Sequence, residues 1–268
     1  MTVTGQISAL YIYPVKSCRG VSLERVECLP SGLRFDREWV VVSTNGKVLT
    51  QRDSTKMALI EAHVSGDATL TLQAPGVSPL VVPPVQRHAC SVPVDLWGNP
   101  RAGIDQGDEA AAWLSEFLEI ECRLLRYDQD FSAPDEQQGA HNDGTALAFV
   151  DCSPLLVISE ESLDDLNERL HEPVPMNRFR PSIVISGLGA FEEDRAKTLR
   201  VGSLTLYSAK PCARCVMTTI DQEKAVAAGP EPLRTLSKYR RDGDKVLFGH
   251  YFTPENAGFL TVGDQVLA

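Results

Sequence analysis

The sequence has little with which to build a metal site of its own. Its five histidines (63, 88, 141, 171 and 250) never fall at ligand spacing from one another, and a single Cys-x-x-Cys pair occurs, Cys212 and Cys215. A structural zinc site takes four ligands, commonly two pairs of Cys or His, so half a site is missing. No apolar run approaches the roughly 18 residues of a membrane span. The first residues, MTVTGQISALYIYPVKS, lack a basic region, an apolar core and a small-residue cleavage site in that order. A cytoplasmic protein with no membrane partner is the expectation. Positive charge is also short: 26 Lys and Arg stand against 36 Asp and Glu, a net charge of −10, which argues against nucleic acid as a partner. The seven cysteines are odd in number and mostly scattered. That argues against a secreted disulfide framework and predicts reduced, mostly buried thiols. The glycines of VISGLGAF (184–191) follow a strand pattern but miss the G-x-G-x-x-G spacing, and no plant-type C-x4-C-x2-C run occurs. Neither a nicotinamide-binding unit nor an iron–sulfur cluster is therefore encoded.

What is present reads as an α+β chain. Its 268 residues, 43% hydrophobic and 23% charged, suffice for one large or two modest domains, each with a core. The first part is a series of β-favouring runs: QISALYIYP, VSLERVECL, REWVVVST, KVLTQR, LIEAHVS and ATLTLQA. Asn45-Gly46 between two of them is a strong hairpin signal, and APGVSPLVVPP places proline at a turn and at edge positions. Many short strands with almost no helical periodicity predict a small barrel or sandwich. From residue 107 the pattern changes. GDEAAAWLSEFL aligns Ala111, Leu114, Phe117 and Leu118 on one helical face, SEESLDDLNERL (159–170) predicts a helix capped by Ser159, and PEPLRTLSKYR (230–240) a third entered through proline. LLVIS, SIVIS and SLTLYS are strands between them. The expected domains are 1–118, β-barrel-like, and 119–268, mixed α/β. Residues 128–146, polar and acidic, predict a surface loop flanking a site.

The motif KPCARCVMTTID (210–221) admits three readings on its own. Zinc lacks its second pair of ligands. A thioredoxin-like dithiol needs the pair to open a helix, whereas the β-branched run Val216 to Ile220, broken by Met217, has strand or loop chemistry. Two packed structural cysteines are the simplest alternative. Other stretches point to an anion. YPVKSCRG sets Lys16 and Ser17 in a tight bend, FDREW puts Arg37 at a strand start, and NRFRPSIVIS places Arg180 directly before a proline. Lys, Ser and Arg at strand ends suit a phosphate or another oxyanion.

The ordered set YPVKSC, FDREW, CSPLLVIS, FRP, CARCVMTTID, LRTLSKYR, FGHYF and VGD closely resembles the molybdenum cofactor sulfurase C-terminal (MOSC) proteins, in their amidoxime-reducing branch, across essentially the whole chain. The resemblance implies a MOSC N-terminal β-barrel domain, a MOSC domain built around a β-barrel, and a molybdenum cofactor (molybdopterin) between them. It implies that Cys215 is the catalytic residue and the protein ligand of molybdenum, a soft thiolate beside the two dithiolene sulfurs of the pterin. By the same resemblance Lys16, Ser17, Arg37, Ser153, Arg180, Arg214 and Tyr251 bind the cofactor, and Cys212 is a neighbour. The implied activity is reduction of N-hydroxylated small molecules at the N–O bond, with electrons from a separate ferredoxin- or flavodoxin-like carrier and its reductase. The alternative is a cofactor carrier or a sulfur-transfer module with a persulfide on Cys215. The chain departs from the family pattern at DQEKAV after the TTID segment, and at Ala213 inside the cysteine motif.

Overall fold

The computed structural model describes residues 3–84, 91–128 and 147–268. Cys90, His88, His141 and the expected surface loop beyond Asp128 lie outside the described residues.

The run Leu155–Ser159 shows how the centre is built. It is buried along its whole length. Leu155 and Val157 enter one core with Ile7, Leu10, Ile183, Ile185, Leu206 and Phe252, while Leu156 and Ile158 enter another with Leu166, Phe179, Leu236 and Phe248. A strand apolar on both faces belongs between two packed layers. It pairs in parallel with Ile183–Ser186 and antiparallel with Lys245–Pro254. The order continues from Ile183–Ser186 through Thr4–Ile12, Gln265–Leu267, Thr198–Val201 and Leu204–Arg214 to Lys245–Pro254, closing a seven-stranded barrel. The first strand of the chain therefore completes a barrel otherwise made by its second half, with Gln6 opposite Ser186 and Thr4 opposite Leu267.

A second strand system packs beside it. Trp39–Ser43, Cys122–Tyr127, Asn99–Asp105 and Ser91–Leu96 form one sheet, and Glu61–Val64, Leu70–Ala74 and Val77–Val82 a second, in meander order. The helix Asp108–Leu118 closes this half, burying Ala110, Leu114 and Leu118 against Val41, Met57, Ile60, Leu72 and Leu124. Pro79 sits in Val77–Val82, which pairs only with Leu70–Ala74 among the described residues, an edge position where a missing N–H costs little. The α+β, barrel-based architecture expected from the sequence is the one observed.

Several local expectations need correction. KVLTQR is not a strand. After the Asn45-Gly46 turn Val48 makes one bridge to Val42, and the chain then turns because the Asp53 carboxylate accepts from Thr50 N and Oγ1, both at 3.0 Å. The run after Cys215 is a one-turn 3-10 helix, Val216–Thr219. The Thr218 and Thr219 hydroxyls donate to the carbonyls of Cys215 and Val216 at 3.0 and 2.7 Å, which offsets their β preference. The capped helix is Glu160–Asn167, with Ser159 Oγ accepting from Ser162 N at 3.0 Å, and PEPLRTLSKYR keeps only Leu233–Leu236 as α-helix. DQEKAV forms a tight hairpin turn whose Glu223 and Lys224 amides donate to the Asp221 carboxylate. Among the described residues no helix is long and apolar enough to cross a membrane.

Candidate functional site

The bend after Thr4–Ile12 starts the site. Tyr13 N donates to Asp36 Oδ1 at 2.7 Å and Lys16 N to Trp39 O at 2.8 Å, which lays YPVKSC against FDREW. Ser17, Arg37 and Arg180 all have left-handed backbones, with φ of 67°, 53° and 54°. Such conformations cost non-glycine residues free energy, and they collect where function over-determines the chain. Here three of them share one site. The guanidiniums of Arg37 and Arg180 lie 4.2 and 4.1 Å from the centroid of the same ring, Tyr13. Burial pushes the Tyr13 phenol up to about 12, so it stays neutral and offers its π face to two cations that otherwise repel. Burial also pulls Arg180 down to about 10, which leaves it charged at neutral pH.

Two adjoining cavities share Lys16, Arg37 and Asp151 as walls. The first is completed by Ser153, Ser182 and Tyr251 among others, the second by Ser17, Thr50, Arg52, Trp97, Arg180 and Met217. Lys16 is buried and donates to Phe149 O at 2.9 Å and to Asp151. Burial pulls its ammonium below the ordinary value, and Asp151 opposes that pull. Desolvation works to raise the Asp151 carboxyl, yet Lys16 and the Trp97 indole N–H hold it well below the usual carboxylate range. Lys16 and Asp151 face each other as an ion pair.

Cys215 reaches the second cavity through Arg52, whose Nη2 donates to its Sγ at 3.0 Å. Cys215 is half-buried, whereas Cys212 is 2% exposed and accepts from Arg214 Nη1 at 2.9 Å. The outward thiol is Cys215. Arg214 spends a second donor on Phe179 O at 2.7 Å, and burial keeps the Tyr251 phenol well above its ordinary value, a protonated donor. The structure thus brings Lys16, Ser17, Arg37, Ser153, Arg180 and Tyr251 onto the cavity walls, with Cys215 tied to them by Arg52 and Arg214 packed behind the cysteine motif.

The sequence reading missed Arg52, Asp151, Tyr13, Asp36 and Trp97. Asp151 and Asp36 adjoin recognised motifs and could have been found there. Arg52 was hidden by reading KVLTQR as a strand.

Does a phosphate-bearing molybdenum–pterin group suit these residues? Lys16, Arg37, Arg52, Arg180 and Arg214 are five cations against two carboxylates, Asp36 and Asp151, a local surplus of three in a chain of net charge −10. Ser153 Oγ and Arg214 Nε are buried with no hydrogen-bond partner. Buried polar atoms are rarely left so, and the Ser153 hydroxyl, on the wall of the first cavity, is free to donate to an acceptor there. Among the described residues no three His, Cys, Asp or Glu side chains group to hold a bare metal ion. A metal here would take one sulfur from the protein and its other ligands from the group that carries it. The donor set fits.

Comparison with known proteins identifies the family. The model of the MOSC N-terminal beta barrel domain matches residues 4–121, and that of the MOSC domain residues 144–267. Mitochondrial amidoxime reducing component 2 of Bos taurus is 38% identical, over 98% of this chain and 82% of the relative. Mitochondrial amidoxime-reducing component 1 of Homo sapiens is 37% identical over the same shares of both chains. These relatives are named mitochondrial, which does not fit a strictly cytoplasmic expectation. With both domains matched and relatives aligned over nearly its full length, this chain belongs to the MOSC-domain family, in its amidoxime-reducing-component branch.

Proposed function

We propose that this chain is a molybdenum-cofactor-dependent reductase of N-hydroxylated compounds, with Cys215 as the protein ligand of the metal. The observation that carries the reading is the half-buried Cys215 thiol beside a cavity with surplus positive charge and unpaired buried donors. The names of the relatives support the substrate class. When bound, the cofactor supplies the two-electron chemistry that accepts oxygen from an N–O bond. The residues do the rest. Lys16, Ser17, Arg37 and Arg180 would hold the phosphate and other oxyanions, the arginines as permanently charged, forked donors. Ser153 Oγ, Arg214 Nε and Tyr251 Oη would donate to the pterin, and Tyr13 keeps Arg37 and Arg180 at one place.

Converting an N-hydroxyl to the amine consumes two electrons and two protons and releases water. The sequence encodes neither a nicotinamide fingerprint nor an iron–sulfur pattern, so the electrons come from outside, from a ferredoxin- or flavodoxin-like carrier fed by its reductase. The test is turnover of an N-hydroxylated amidine by protein made in a cofactor-competent host. Turnover is expected with reduced viologen and not with NADH or NADPH alone. Steady multiple turnover on NADH by the single chain contradicts the external carrier. Readily released cofactor without any turnover, or a persulfide on Cys215, contradicts the reductase reading in favour of a carrier or sulfur-transfer module.

A further inference from the structure

The turn at residues 50–53 comes from the first half of the chain, yet its arginine reaches the thiol of the second. Arg52 Nη2 donates to Cys215 Sγ at 3.0 Å across 163 residues of sequence. Among the described residues no carboxylate pairs with Arg52, although acids outnumber bases in this chain. A guanidinium in an acidic protein that meets a sulfur and no carboxylate is placed with some care by its surroundings.

Two devices place it. The turn is rigid: Asp53 accepts from Thr50 N and Oγ1, Arg52 N donates to Thr50 Oγ1 at 3.2 Å, and Lys47 pairs with Asp53 at 2.6 Å. The turn is also latched to the segment after Cys215. Gln51 and Gln222, 1% and 6% exposed, exchange amide hydrogen bonds, each Nε2 donating to the other's Oε1 at 2.9 Å. Gln51 Nε2 donates further to Ser17 O at 2.8 Å, and Gln222 Nε2 to Ile220 O at 3.2 Å. Buried, mutually satisfied amides have one low-energy register, so the residue beside Gln51 is held at a fixed distance from the cysteine turn. On its other side Arg52 lies 5.6 Å from the Trp97 ring centroid, and Trp97 is pinned by its indole N–H on Asp151.

We propose that Arg52 is the positioning residue of the sulfur ligand: it orients Cys215 Sγ by a charge-assisted N–H···S hydrogen bond and withdraws electron density from it. The inference rests on Cys215 being the metal ligand. Hydrogen bonds to a coordinating sulfur raise the reduction potential of the centre, and outer partners of ligands tune affinity and activity. The Gln51–Gln222 pair is the strut that keeps this donor in place.

The test uses the full chain from a cofactor-competent host, as wild type, R52M, R52K and Q222A, with the midpoint potential followed by the Mo(V) resonance during a redox titration. R52M is expected to keep the wild-type melting temperature, because Arg52 is exposed, and its metal content, because Lys16, Ser17, Arg37 and Arg180, the residues assigned to the phosphate, are unchanged. Its midpoint should move to more negative potential and its Mo(V) signal should change shape. R52K should move less in the same direction, and Q222A, which leaves the donor itself intact, should move part of the way. A wild-type midpoint and signal in R52M overturns the proposal. So does loss of metal from R52M, which would make Arg52 a holder of the cofactor instead. A wild-type chain with no molybdenum resonance overturns the reading of the site, and the two failures are told apart by which protein shows them.

Discussion

Cys212 and Cys215 are three residues apart and differ in what surrounds them. Cys212 lies within the strand Leu204–Arg214, is 2% exposed and accepts from Arg214; Cys215 caps the turn that follows, with its sulfur toward Arg52. C215A is expected to abolish turnover of N-hydroxylated substrates, while C212A retains a substantial part of it, measured per bound molybdenum. Equal and complete loss in both would indicate a dithiol site. Ser153 offers a second test. Its hydroxyl is buried and unpartnered, so in protein made without cofactor S153A should melt within about 0.5 kcal/mol of wild type or slightly above it. In cofactor-loaded protein the same change should lower molybdenum content. Substantial destabilisation of the unloaded S153A chain would show that the hydroxyl has a structural partner. These residues were legible because their motifs are local: YPVKSC, FRP and CARC each carry their chemistry within a few positions. The role of Tyr13 was not, since it comes from stacking against two arginines that only the folded chain creates.

At the scale of elements, the helix Glu160–Asn167 was readable from its cap and its leucines, and LLVIS from its unbroken apolar run. The segments misread share a cause. In KVLTQRD and CVMTTID, Thr and Asp side chains bond nearby backbone and turn β-favouring stretches into tight turns. A buried carboxylate anchors the capped helix. Glu193 is fully buried, its Oε1 accepting from Ser162 Oγ at 2.7 Å and Ser159 N at 3.3 Å while Oε2 has no partner. Desolvation raises its pKa above the ordinary glutamate value. A raised carboxyl contributes stability that is fully present below the unfolded value, near 4.3, and is lost as pH rises through the folded one. E193Q should therefore gain on wild type between pH 4.5 and 7.5 in urea unfolding. A difference between the two proteins that does not change with pH contradicts a buried, reluctantly ionised Glu193.

At the scale of the molecule, the site exists because the halves are interleaved. Lys16, Ser17, Arg37 and Arg52 come from the first half, Asp151, Ser153, Arg180, Arg214, Cys215 and Tyr251 from the second. The strand Thr4–Ile12 joins the two by completing the barrel of the second half and delivering Lys16 into the cavity. No periodicity in the sequence announces that pairing, because its partners Ile183–Ser186 and Gln265–Leu267 lie far along the chain. The arrangement gathers positive charge at one place in an acidic protein, which suits a bound anion. The proposed function rests on one bond, the one proposed between Cys215 and molybdenum. Molybdenum-edge X-ray absorption on cofactor-loaded wild type and C215A measures it directly. The account predicts one sulfur fewer around molybdenum in C215A than in wild type; identical sulfur shells in the two proteins would contradict it.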